Sequence, residues 1–356
     1  MKNALKTSIA LMLSLMMYAS AHAQTTLRVS AYLPSSHWLI SDAMKEWARQ
    51  VQEETQGKLK IHIFPTPIGS ADQQFANARD GVADITMGAF AFTPGRGILN
   101  DVASTVNSGS YSESRGAALW RVLQSSAAMQ KEFEGVVPLG VFSTTPMNFF
   151  SPSVNIQTVN DFKGLKVHVS NPMTARVATA LDMTVVMQPP HAVFELLSGR
   201  VVDSAFLTSD GVESFKLERI VKHGLIMPGG TSSGIGFLVM NPAKFKKLSP
   251  DLQQKLLKVS GENYARIIGR IWDQRDQRAL TALEKSGGQI KHADGQLQTA
   301  FMAKAESANT LWLRDVEQQR PGVDGTALLA SFREEVAKIE SEMRSRANSS
   351  SDEAKR

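Results

Sequence analysis

The chain has no cysteine among its 356 residues. That excludes disulfides, thiolate metal sites, iron–sulfur clusters and a cysteine nucleophile. It also lacks a long apolar run: past the N-terminus nothing approaches the roughly 18 uncharged residues that a membrane span requires. Strong charge of one sign is missing as well, with 39 Lys and Arg against 34 Asp and Glu. The longest basic cluster, Lys244-Phe-Lys246-Lys247, is short and reads as solvated surface, so nucleic acid is not an expected partner. The six histidines after residue 23 show no i,i+4 pairing and no carboxylate at ligand spacing, and no paired carboxylates stand out. Neither a metal, nor a cofactor, nor a catalytic group is therefore expected.

What is present is an ordinary globular composition, 42% hydrophobic and 21% charged, in a chain long enough for two domains and a cleft between them. Lys2 and Lys6 precede an apolar run from Ile9 to Ala19, and Ala21-His22-Ala23 supplies small residues at cleavage-site spacing. Residues 1–23 therefore read as a signal peptide, with a soluble periplasmic product beginning at Gln24. Its removal leaves 37 basic against 34 acidic side chains, a mild +3.

Alternation predicts strands at 27–33, 57–65 and 83–88, and helical spacing predicts helices over 38–51 and 71–79. The order strand, helix, strand, helix, strand implies a largely parallel sheet. After a helix near 115–133 the pattern restarts, with strands at 136–142, 165–169, 184–187, 203–206 and 235–240, which read as a second lobe. Asn171-Pro172 and Ser249-Pro250 are helix starts. The second opens an amphipathic stretch through Leu283 that is long enough to pass both lobes, and helices follow over 295–317 and 324–345. The polar residues from Asn348 read as a disordered tail. The fold class is thus α/β with two lobes joined by crossing strands. Lobe I takes 24–145 plus about 234–273, lobe II takes 146–233 plus about 274–330, and 331–356 form a closing helix and tail.

Gly230-Thr-Ser232-Ser-Gly234 matches the nucleophile-elbow string of hydrolases, with His292 and Asp251 or Asp273 further along. The elbow needs a helix after the serine, yet Ile235-Gly-Phe-Leu-Val-Met240 reads as a strand, which disfavours a secreted serine hydrolase. The same glycines lack the Lys of a P-loop and the third glycine of a dinucleotide fingerprint.

The run Thr55-Gln-Gly57-Lys-Leu-Lys-Ile-His-Ile-Phe-Pro65, then Gly69, Asp80-Gly81-Val-Ala-Asp84, Asp161-Phe-Lys-Gly164-Leu-Lys-Val-His168-Val, Val202-Asp203-Ser and Leu248-Ser-Pro250-Asp-Leu-Gln253 resembles the DctP-type solute-binding subunits of TRAP transporters. The resemblance covers nearly the whole mature chain. It implies two α/β lobes, a long helix spanning both, closure over one small solute, integral-membrane transport subunits as partners, and no enzymatic chemistry.

Most relatives hold an organic acid with an arginine, whose rigid fork fits a carboxylate. Here that position is His168, and a second arginine position of some acid binders is Asn148. Asn171 is retained, and the next arginine, Arg176, lies in the following helix. With both arginine positions missing, a ligand without a carboxylate, such as a diol, polyol or amino alcohol, is the leading expectation, and a small organic acid held by His168 is the alternative. Strand ends facing the crevice add Tyr32, His37, Trp38, Phe90, Phe92, Phe206 and Asp210, the last able to meet a cation or hydroxyls if it points inward.

Overall fold

The computed structural model describes residues 24–93 and 95–353. The segment read as a signal peptide lies outside the described residues, as do the last three residues of the chain.

Two sheets carry the fold. The first has the order β2 (Leu59–Ile63), β1 (Thr25–Ala31), β3 (Ile85–Ala89), β10 (Ile235–Met240), β4 (Val137–Ser143). The second has the order β11 (Gln289–His292), β9 (His223–Ile226), β5 (Asn148–Ser151), β8 (Ser204–Leu207), β6 (Lys166–Val169), β7 (Thr184–Met187). In the first, β1 is parallel to β2 and β3, with Leu27 opposite Ile61 and Val29 opposite Ile85. In the second, β6 is parallel to both β7 and β8. Each sheet also contains a strand of opposite sense. β10 is antiparallel to β3 and β4, and β5 is antiparallel to β8 and β9. The reason is topological: β5 and β10 are the strands by which the chain arrives from the other lobe.

The crossings β4 to β5 and β9 to β10 run side by side. Thr144 N donates to Gly234 O at 2.8 Å, Met147 N to Ser232 O at 2.7 Å, and Gly234 N to Thr144 Oγ1 at 2.9 Å. The lobes are therefore joined by a hydrogen-bonded pair of strands rather than by a flexible tether.

Helices α1 (Lys45–Glu54), entered through a π-turn at Leu39–Met44, and α2 (Gln74–Arg79) cover the first sheet. α3 (Ser112–Ser125) is buried along most of its length, as expected of a helix enclosed on several sides. α4 (Ala127–Lys131) follows it. α5 (Pro172–Ala180) starts as the sequence indicates, with proline at its first position and Asn171 Oδ1 accepting from Thr174 N at 2.8 Å. α6 (Val193–Ser198) and α7 (Asp210–Ser214) complete the second lobe's short helices.

After α8 (Pro242–Lys247), the amphipathic stretch from Ser249-Pro250 through Leu283, expected as one long helix, is two: α9 (Pro250–Lys258) and α10 (Glu262–Lys285). Gly261 makes the break. It has φ +58°, where a side chain is strained, and its N–H leaves the helix to bond Leu139 O at 2.6 Å. α10 alone still packs against the π-turn at Leu39–Met44 and β4 of the first lobe and against α7 and β11 of the second. α11 (Gly295–Gln319) and α12 (Gly325–Glu353) close the chain, α12 continuing as helix past Asn348, where the sequence suggested a tail.

Candidate functional site

The carboxyl ends of the parallel strands of both sheets face each other, and one hydrogen bond fixes this relation. Trp38, after β1, donates from Nε1 to Asp210 Oδ2, after β8, at 3.2 Å. Trp272 of α10 donates to the other oxygen at 2.8 Å, and Ser214 Oγ lies 3.3 Å from Oδ2. The two indoles meet edge to face at 4.9 Å. Asp210 is 4% exposed and its oxygens are taken by protein donors, so the expectation that it meets a cation or ligand hydroxyls gives way to a tie between the lobes. Its own N–H donates to Asp276 Oδ1 at 2.8 Å. Burial, together with nearby Asp210, raises the Asp276 carboxyl well above its ordinary range.

His168 lies next to the carboxyl end of β6 and is 2% exposed. Its Nε2 is 3.1 Å from Gln188 O. A carbonyl can only accept, so Nε2 carries the proton. Burial lowers the imidazole pKa, against backbone hydrogen bonds that raise it, and a neutral ring leaves Nδ1 as a bare acceptor. That Nδ1 is buried and has no hydrogen-bond partner. The loss of the arginine fork is thus complete: the ring's one proton is already spent on the backbone.

Three residues on, Asn171 is also buried. Its Oδ1 accepts from both the N–H and the hydroxyl of Thr174, at 2.8 and 2.9 Å, which fixes the orientation of the amide. Its Nδ2 has no partner. Thr174 Oγ1 in turn is 2.6 Å from Ser232 Oγ on the crossing strand, so Asn171 sits where α5 meets the hinge. Ser232 faces a threonine rather than a histidine, and the hydrolase reading has no base at hand. Thr145 Oγ1, on the other crossing strand, is a third buried atom without a hydrogen-bond partner.

The remaining expected positions divide. Tyr32 packs against Phe92 at 6.0 Å, and burial raises its phenol pKa. His37 Nδ1 accepts from Leu39 N at 3.2 Å, and burial lowers its pKa against the pull of Asp210. Asn148 is used internally, its Nδ2 lying 3.3 Å from Pro146 O and from Ser209 Oγ, while Met227 N donates to Oδ1 at 3.4 Å. Phe90 and Phe206 are corrections: both are core. Phe90 packs on Phe237 at 5.1 Å and Phe133 at 5.8 Å, and Phe206 on Phe149 at 5.9 Å and Phe162 at 6.5 Å. A phenylalanine at a strand end fits either setting, and the apolar interior claims both.

Among the described residues, the arginines near this place are engaged elsewhere or stacked on a ring. Arg176 pairs with Asp315 of α11. Arg275 lies over the Trp38 ring at 4.9 Å and 3.5 Å from Asp42. Arg115, which the sequence did not single out, is wholly buried on α3 with carbonyls around it: Ala103 O at 2.8 Å, Gly109 O at 2.9 Å and Thr231 O at 3.5 Å, plus Ser233 Oγ at 3.2 Å. Burial pushes its pKa down to about 9. Among the described residues no group of three His, Asp or Glu side chains is arranged to hold a metal ion.

The family described as bacterial extracellular solute-binding protein, family 7 (DctP) matches residues 29–313. The chain belongs to this family. A TRAP periplasmic solute-binding protein from Bordetella bronchiseptica, solved with bound (R)- and (S)-mandelate, is 31% identical. The match covers 88% of this chain and 99% of that one, with a TM-score of 0.80. A TRAP solute-binding protein from Rhodoferax ferrireducens T118, in complex with copurified benzoate, is 24% identical over 89% of this chain and 99% of its own, with a TM-score of 0.80. The outer membrane transporter protein TsaT of Comamonas testosteroni is 24% identical over 321 residues, 90% of this chain and 94% of that protein. The DctP-family chain described here is accordingly a TRAP-type periplasmic solute-binding protein and not an enzyme.

Proposed function

We propose that this chain is secreted by way of a signal peptide cleaved after Ala23, captures a small organic acid between its lobes, and delivers it to the integral-membrane subunits of a TRAP transporter. Lobe I comprises 24–145 and about 234–273, and lobe II comprises 146–233 and about 274–330. The observation that carries the choice of an acid is the buried, unpartnered Asn171 Nδ2 at the start of α5. A carboxylate there accepts from the amide and faces the positive end of a helix dipole. Closure excludes water, which strengthens such contacts without a guanidinium. The mandelate bound by the Bordetella relative supports the same class. Tyr32 and His37 belong to the first lobe's side of the cleft, with Trp38 tying the lobes behind them.

The test is thermal stabilisation of the chain from Gln24 onward, refolded free of ligand, against carboxylates, diols, polyols and amino alcohols. A ligand at 100 times its Kd adds about 2.7 kcal/mol. An acid is expected to stabilise the chain and Asn171→Asp to abolish the effect, because aspartate keeps the helix cap but exchanges the N–H donor for a negative charge. His62→Ala, on an outward position of β2, is expected to change nothing. Stabilisation by neutral or amine ligands alone contradicts the proposal.

A further inference from the structure

We propose that the ligand carries a hydroxyl beside its carboxylate, and that His168 Nδ1 is the acceptor selecting it. This rests on the acid-receptor reading above and names the class within it. Two buried polar atoms, three residues apart at the end of β6, lack partners and are of opposite kind: Nδ1 of His168 accepts and Nδ2 of Asn171 donates. Each is fixed in that role by a bond on its far side, His168 by Gln188 O and Asn171 by Thr174 N. Buried polar groups are almost always satisfied, and an acceptor left unpaired weakens the bound state. A simple carboxylate serves the amide but offers nothing to a bare imidazole nitrogen and repels its lone pair. A hydroxy acid serves both, since one end accepts and the neighbouring hydroxyl donates.

The reverse arrangement, an imidazolium pairing with the carboxylate, requires a second proton on a ring whose burial disfavours charge and whose partners are carbonyls rather than acids. Sites built around a buried polar group discriminate strongly against analogues that lack the matching one.

The experiment is calorimetry on the wild-type chain from Gln24 with matched pairs: (R)- and (S)-mandelate against phenylacetate, and lactate against propionate. In at least one pair the hydroxylated member is expected to bind about tenfold or more tightly. Equal binding within every pair overturns the hydroxyl assignment but leaves the acid receptor standing, whereas no binding by any acid overturns the acid receptor itself. Nitrogen NMR of His168 with the bound hydroxy acid supplies the second readout. A neutral ring protonated at Nε2 supports the assignment, and a doubly protonated ring overturns it.

Discussion

Trp38 Nε1 and Asp210 Oδ2 are joined at 3.2 Å across a sequence separation of 172 residues, from the end of β1 in one sheet to the end of β8 in the other. This tie lies outside the paired crossing strands and has Trp272 as a second donor on the same carboxylate. Closure over a ligand is expected to be coupled to the Trp38–Asp210 bond, because the bond joins the two sheets. Trp38→Phe keeps the ring and removes the donor. It is expected to speed ligand release and raise Kd by about tenfold or more, since hydrogen bonds to carboxylates are worth about 1.5–3 kcal/mol and each 1.4 kcal/mol is about tenfold in Kd. Stopped-flow and calorimetry read this directly, and unchanged release would show that the bond plays no part in closure.

Arg115 reaches Gly109 O on one side and Thr231 O and Ser233 Oγ of a crossing strand on the other. Arg115→Met leaves buried carbonyls unpaired at about 1–3 kcal/mol each. Urea unfolding is expected to register a loss of at least about 3 kcal/mol.

Much of the architecture was legible in the sequence because alternation in β1 and β2 and the Asn171-Pro172 cap act locally. β5 and β9 were not, for Asn-Phe-Phe-Ser and His-Gly-Leu-Ile are four-residue strands with little or no alternation to read. The break at Gly261 escaped because apolar spacing continues through it, and only the strand carbonyl of Leu139 shows why the glycine turns. In the site, Asn171 and His168 were marked by the resemblance to DctP-type proteins, not by any local pattern. The tautomer of His168 depends on Gln188, and the fate of Asp210 on Trp272, 62 residues away, which no local pattern carries. Arg115 had no signal at all, being one arginine among ordinary helix residues.

Burial raises the Asp101 carboxyl to about 7, with Glu132 adding to the effect. The folded state then holds a proton that the unfolded state releases near pH 3.8, so this group's stabilisation is present at low pH and is lost as pH rises from about 4 to about 7. Asp101→Asn removes that dependence. Its melting temperature relative to wild type is expected to rise between pH 5 and pH 8, and a flat difference would show that Asp101 titrates normally.

Gly269 lets α10 lie directly on the start of α3, where Asp273 accepts from Ser112 N and Glu113 N at 2.8 and 3.1 Å. An added Cβ would come within 2.2 Å of Glu113 Cα. Gly269→Ala is expected to cost about 1–3 kcal/mol by forcing the helices apart, measured by thermal melting.

The most direct test of the acid-receptor account is a crystal structure with the acid that most stabilises the chain. The account predicts a carboxylate oxygen at about 2.7–3.2 Å from Asn171 Nδ2, between the lobes. An acid bound elsewhere, with Asn171 Nδ2 still unpartnered, would contradict it.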